Sequence, residues 1–299
     1  MDKKRYSVIL SELEDSIKWI ESKGIDISRT RLSQLYDDIK NFVNQRLILP
    51  KSDINPDEFK AQVYSFIEVG DVTEIYRQFQ NIESDVFDEK LQKSIRGPRS
   101  GTKETERSLI ARNTMAELAW AAALSKSGFE VEFDPISDIV QEINQNQYRS
   151  IVWEVKRPDK KQNLDKLMKK GRKQLNKRFS DPCFRMDRKP LGGCIVVIID
   201  KIFGIDDCYI KSGSEFSANN YLKRTIKSFY GENKKLFEPI WRNNILGLLM
   251  WWRLPGMIQN MLGMNILTEV NQTMFVMNKD YENLEKGNII YRIYNSING

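Results

Sequence analysis

The chain of 299 residues contains no histidine. That absence removes Ser-His-Asp and Cys-His nucleophile systems, imidazole-ligated zinc and any imidazole general base. Cysteine is scarce as well. Cys183, Cys194 and Cys208 are odd in number and lack Cys-x-x-Cys spacing, which argues against a disulfide framework or a thiolate zinc site. Long apolar runs are missing. The N-terminus, MDKKRYSVILSELEDS, has too short an apolar run for a signal peptide. The most apolar stretch, 245–267, is broken by Arg253, Pro255, Gln259 and Asn260, so it is expected to be buried core rather than an interfacial membrane segment. A soluble protein in a reducing, cytoplasmic setting without a membrane partner is expected. Its chemistry must use carboxylates, Lys, Tyr, Ser, Cys or a metal held by oxygen.

What is present is charge, unevenly spread. The formal net charge is +6, yet residues 1–100 hold 16 basic against 18 acidic residues. The segment 156–178 alone holds 11 basic residues against Asp159 and Asp165, more than the whole excess. A local basic stripe is the electrostatic footprint of a phosphate-backbone binder; a solvated helix face is the bland alternative.

Residues 1–95 read as an all-α domain. Val8, Ile9, Leu13, Ile17 and Ile20 have helical spacing, as do Leu32, Leu35, Tyr36, Ile39, Phe42 and Val43, and Asn55-Pro56 opens a third helix. Residues 96–107, rich in Gly, Ser and charge, read as a linker. From 108 to 299 the pattern changes to α/β. A helix over 108–127 ends at Gly128; strands are expected at 129–133, 138–143 and 148–156, a helix at 163–178, and a strand at 193–199 whose run GCIVVII suits burial on both faces. A helix at 217–230 and strands at 245–252 and 273–278 follow. This order predicts a mixed central sheet, part hairpin and part crossover, flanked by helices.

The chemical signal is Asp138 followed by Glu154-Val155-Lys156. Glu-x-Lys by itself is uninformative, since Glu21-Ser-Lys23 and Glu232-Asn-Lys234 also occur. Only Glu154 and Lys156 end a predicted strand with an acidic residue at the start of the strand before it. A hairpin centred on Asn146 pairs position i with 292−i, which sets Asp138 opposite Glu154. Opposed residues share a face with Cβ atoms ~4.5–5.5 Å apart, and period two puts Lys156 on that face too. Two facing carboxylates repel unless a cation lies between them, and an oxygen-ligated divalent ion is the economical choice. The alternative is that both carboxylates reach solvent at the strand end. Glu117 is the only acidic residue in 113–127 and stands among Met115, Leu118, Ala119, Trp120 and Leu124, so it is either paired, solvated beside Asn113, or metal-linked.

The succession Asn113-x-x-x-Glu117, Gly128-Phe-Glu-Val-Glu-Phe, Ser137-Asp138-Ile-Val and Val152-Trp-Glu154-Val-Lys156-Arg157-Pro158 resembles the PD-(D/E)XK nuclease superfamily, over about residues 108–200. Ser137 departs from the proline of the family motif. The resemblance implies a restriction-endonuclease-like core in which Asp138, Glu154 and the Val155 carbonyl bind Mg²⁺, or Mn²⁺ in its place. Lys156 would orient or help deprotonate the attacking water, and Glu117 would add a ligand or order a metal-bound water. Nucleic acid, DNA favoured over RNA, would be held by Arg157, Lys160, Lys161, Lys169, Lys170, Arg172, Lys173 and Gln174. Trp251-Trp252 suit base stacking or, better, core packing. The expected activity is metal-dependent phosphodiester hydrolysis, suited to restriction or anti-phage defence. Two alternatives stand beside it: a catalytically inactive nucleic-acid-binding module, and a subunit whose basic helix docks an acidic partner. A homodimer, and a protein partner for the helical domain, are left open.

Overall fold

The computed structural model describes residues 3–48, 56–98, 106–145, 148–203, 210–241, 244–259, 265–282 and 284–298. Helical periodicity in the first part of the chain becomes α1 (Lys3–Ser22), α2 (Arg31–Ile48), α3 (Pro56–Phe79) and α4 (Asp85–Ser94). The Ser84 hydroxyl caps α4 by accepting from Phe87 N at 3.3 Å. The apolar stripes meet in a core of Leu13, Ile20, Leu35, Ile39, Val72 and Ile75. α5 (Glu106–Lys126) stops at Gly128, whose φ of +86° suits the left-handed C′ position. Gly128 N donates to Ser125 O at 2.9 Å and Phe129 N to Leu124 O at 3.2 Å, a Schellman closure.

The strands are β1 (Val131–Phe133), β2 (Ile139–Gln145), β3 (Tyr148–Lys156), β4 (Pro190–Ile198), β5 (Ile210–Ser212), β6 (Ile245–Gln259) and β7 (Asn265–Met277). They form one seven-stranded sheet in the order β1-β2-β3-β4-β6-β5, with β7 also paired to β6. The first three strands are antiparallel neighbours, whereas β3–β4, β4–β6 and β5–β6 are parallel. The architecture is α/β with a mixed sheet flanked by helices. Ile139 pairs with Trp153, Val140 with Val152 and Gln141 with Ile151, which is the 292−i register; it shifts beyond Glu142, and the hairpin tip at 146–147 lies outside the described residues. α6 (Leu164–Ser180) makes the crossover from β3 to β4, burying Leu164, Met168, Gly171, Leu175 and Phe179.

Three helices complete the order: α7 (Pro182–Arg188), α8 (Glu215–Glu232) and α9 (Lys234–Phe237), followed by α10 (Glu285–Asn298) at the C-terminus. α7 and α10 were not expected. α7 starts from an Asp181 cap and Pro182 at its first turn, a local signal overlooked beside the longer α6. β6 and β7 run well beyond the expected 245–252 and 273–278.

The chain divides into two compact units, Met1–Ala119 with Gly204–Asn220 and Arg253–Val270, and Trp120–Phe203 with Tyr221–Trp252 and Asn271–Gly299. The division between these units falls inside α5; the expected domains were 1–95 and 108–299 with a linker at 96–107, and residues 99–105 of that stretch lie outside the described residues. The first unit takes in β5 and the distal part of β6 because these pair with each other, Ile210 with Gly256 and Ser212 with Ile258. No helix among the described residues is long and apolar enough to cross a membrane.

Candidate functional site

The site belongs to the second unit and forms where β2 starts and β3 ends. These two ends coincide because the strands are antiparallel, and the carboxyl ends of parallel strands are the usual place for ligands in open α/β sheets. Asp138 immediately precedes β2; its Oδ2 accepts from Val155 N at 2.7 Å and from Lys156 Nζ at 3.3 Å. Lys156 Nζ donates to the Val155 carbonyl at 2.9 Å and closely to Glu154 Oε2. Two carboxylates and a carbonyl thus converge on one ammonium. Glu154 is 0% exposed and Asp138 8%, so the solvated-strand-end alternative does not hold. Buried like charges are tolerable here because Lys156 lies between them.

α6 covers this face of the sheet. A Cβ added to Gly171 would lie 3.3 Å from Ile195 Cδ1 and 3.5 Å from Lys156 Cε, so the missing side chain lets the helix settle on the lysine stem. Gln174, one turn further on, is partly buried, and its side-chain oxygen has no hydrogen-bond partner among the described residues. The same is true of the buried Ser137 hydroxyl beside Asp138. Buried polar atoms of this kind ordinarily take water or a ligand.

Two supporting pairs escaped notice in the sequence. Asp134 accepts from Ile136 N at 2.6 Å and Ser137 N at 2.9 Å, shaping the turn that delivers Asp138, and holds Arg178 of α6 at 2.5 Å. The Asp134-Pro135 start of a turn was the available signal. Asp200, two residues past the end of β4, accepts from Arg157 at 3.1–3.2 Å, tying the residue after Lys156 to the turn that follows the neighbouring strand. No local pattern announces that pair, since 43 residues separate the partners. In the intervening loop, partial burial opposes the charged form of Asp159. The Asn163 amide, backbone N–H groups and Lys201 outweigh it and hold this carboxyl below its usual range.

The chain matches no protein-family model, no curated protein and no solved structure.

The structure brings Asp138, Glu154, Val155 and Lys156 together. Glu117 belongs to the first unit, where its Oε2 takes Lys90 Nζ of α4 at 2.6 Å. Among the described residues no group of three or more Cys, Asp or Glu side chains is gathered to hold a metal ion. The donors that could hold one are two carboxylates and a backbone carbonyl, hard oxygen ligands fitting Mg²⁺ or Mn²⁺ in chemistry.

The basic residues divide into two kinds. Arg157 is committed to Asp200, and Arg172 of α6 donates to the Pro239 carbonyl. Lys169 pairs with Asp165 on the surface at 2.6 Å, an exposed contact that a stronger anion displaces readily. Lys160, Lys161, Lys170 and Lys173 are exposed and have no ion-pair partner among the described residues. Trp251 packs edge-on against Trp120, and Trp252 stacks on Phe203 with ring centroids 4.4 Å apart. Both indoles are buried, so they are core and unavailable to stack on bases.

Proposed function

We propose that the protein is a metal-dependent nuclease with a restriction-endonuclease-like core. The convergence of Asp138, Glu154 and the Val155 carbonyl on Lys156 Nζ at adjoining strand ends carries this reading. The resemblance over residues 108–200 and the lysine-rich outer face of α6 support it. Asp138, Glu154 and Val155 O would hold Mg²⁺ or Mn²⁺, which when bound polarises a phosphoryl oxygen and lowers the pKa of water. Lys156 would hold its protons at Nζ facing the phosphate, orienting the attacking water and offsetting charge as the phosphoryl group becomes pentacovalent. Arg157, fixed by Asp200, would hold the chain where it leaves β3, next to Lys156. Lys160, Lys161, Lys170 and Lys173 would grip the backbone on either side of the scissile bond. DNA is the proposed substrate, in keeping with a role in restriction or anti-phage defence.

The test is incubation of the purified protein with single- and double-stranded DNA and RNA in Mg²⁺, Mn²⁺ or EDTA. Cleavage is expected with either metal, absent in EDTA, and lost in Lys156→Ala and Glu154→Ala proteins that keep the wild-type circular dichroism spectrum. Cleavage that survives both substitutions sinks the assignment.

One observation favours a second reading. Lys156 already supplies a cation to all three donors, so the cluster can be a self-compensated strand clamp in a catalytically inactive nucleic-acid-binding domain. Salt-dependent binding without cleavage and without a metal requirement selects it.

A further inference from the structure

The resemblance ends near residue 200, but the basic surface does not. α8 buries Leu222, Ile226 and Phe229 on one face. Its other side exposes Tyr221, Lys223, Arg224 and Lys227, of which Tyr221 and Arg224, Arg224 and Lys227, and Lys223 and Lys227 are three or four residues apart and so neighbour one another. Asn233 then turns the chain: its backbone N–H and side-chain amide donate to Phe229 O at 3.1 and 2.7 Å. Phe237 of α9, fully buried, packs on Tyr230 with centroids 5.6 Å apart. α9 and the turn after it pack against α6, and Arg172 reaches the Pro239 carbonyl. Lys234 and Lys235, exposed on α9, are therefore held beside α6.

These five cations have no hydrogen-bond or ion-pair partner among the described residues. Some surface charges of the same chain are paired, as in Arg188 with Glu132 and Glu142, or Lys93 with Glu89. Like charges three or four residues apart on a helix destabilise it slightly, so the α8 face carries a small penalty that a bound anion relieves. The anion is specified by what lies among the cations. Tyr221 is 57% exposed and lies within one turn of Arg224. A π-face interleaved with cations is what an unpaired base and its phosphate need, whereas bases stacked in a duplex cannot reach it.

We infer that Tyr221, Lys223, Arg224, Lys227, Lys234 and Lys235 form a second nucleic-acid contact tract that takes a single-stranded segment. This rests on the proposal that α6 binds nucleic acid, and it adds the form of the substrate: a strand unpaired where it crosses α8 and α9.

The experiment measures fluorescence anisotropy of a labelled single strand and of its duplex, in EDTA, with the full chain over a range of salt. Combined Lys223→Gln, Arg224→Gln and Lys227→Gln is expected to weaken single-strand binding on the order of tenfold. The same substitutions should lower the salt slope by about 2, at ~0.7 for each phosphate no longer neutralised. Lys234→Gln with Lys235→Gln acts in the same direction through a separate element. Tyr221→Ala is expected to cost at least about fivefold on the single strand and little on the duplex. Wild-type binding by the α8 and α9 variants, with loss only in Lys170→Gln plus Lys173→Gln, overturns the second tract and leaves the α6 proposal standing. Absence of binding by the unmodified protein takes both down. Equal losses on duplex and single strand for Tyr221→Ala overturn the single-strand assignment. Tighter binding to phosphatidylserine vesicles than to DNA, abolished in the same variants, overturns it in favour of a membrane surface.

Discussion

Both units bury charge, and they do so with opposite stoichiometry. In the first unit two guanidinium groups share one carboxylate: Arg31 Nε meets Glu68 Oε2 at 2.8 Å and Arg112 Nε meets Glu68 Oε1 at 2.9 Å. A backbone carbonyl takes a further donor from each, Ser94 O from Arg31 at 2.7 Å and Pro98 O from Arg112 at 3.2 Å. Arg253 and Asp71 form a further buried, two-pronged pair. Arginine keeps its charge and its planar fork suits such closed networks, which pin α2, α3 and α5 to one another. In the second unit two carboxylates share one lysine. A lysine ammonium is a mobile point charge on a flexible stem, and the oxygen donors around it are those a divalent ion would use. The guanidinium-rich cluster is closed on itself, whereas under the proposed function the carboxylate-rich one would exchange its cation.

The sharpest way to break that contrast is Lys156→Ala. Cleavage is expected to fall by at least about a thousandfold, in line with loss of an electrostatic stabiliser of the transition state. Asp138 and Glu154 are then buried together without a cation, and unfolding stability in EDTA should drop by about 3–5 kcal/mol. Added Mn²⁺ should restore most of it, more than it raises the melting temperature of the wild type. If thermal melts show no such rescue, the cluster is a structural clamp like those of the first unit. Asp71→Ala gives the reciprocal case. Arg253 loses its buried partner, a similar loss of about 3–5 kcal/mol is expected from urea unfolding, and no divalent cation should recover it.

A smaller effect is expected at the helix that lies on the lysine. Gly171→Leu would force a side chain into space held by Ile195 and the Lys156 stem, lowering kcat by about tenfold while destabilising by about 1–3 kcal/mol, as overpacking does. Gly171→Ala should be nearly silent in both readouts, because the atoms in the way are ends of flexible side chains. A kcat unchanged in the leucine variant would show that Lys156 does not depend on α6 for its position.

The smallest effect concerns Lys286, half-buried over the Tyr148 ring. Burial holds its pKa below the usual lysine value of 10.5. Between its lowered pKa and 10.5 the unfolded chain holds more protons than the native one, so this residue makes stability rise as pH climbs through that window. Lys286→Met should flatten a slight alkaline rise in the urea midpoint without touching cleavage. A steeper rise in the variant would mean the shift has the other sign.

Much of the site was legible along the chain because it is built from short-range periodicity. The two-residue strand repeat set Glu154 and Lys156 on one face, and the hairpin register brought Asp138 opposite Glu154. The three-to-four-residue repeat separated the buried line of α6, Leu164 to Leu175, from its lysines. Glu117 was harder. Its apolar helix demanded compensation, and one partner, Lys90, lies 27 residues away where no local pattern announces it. Arg157 and Arg172 read as phosphate ligands, and only the fold revealed that Asp200 and the Pro239 carbonyl also hold them. Trp251 and Trp252 could have faced either way while the rings beside them were unidentified.

Residue order alone settled which chemistries were closed to a chain without histidine, the strand ends where acid and lysine meet, and the helix that carries the surplus positive charge. Packing in three dimensions was needed to settle which charges are spent inside the protein and which remain outside. The reason is physical: periodicity places a side chain on a face through its nearest neighbours in the chain, whereas the partner that satisfies a charge is whatever packing brings within about 3 Å, at any separation in sequence.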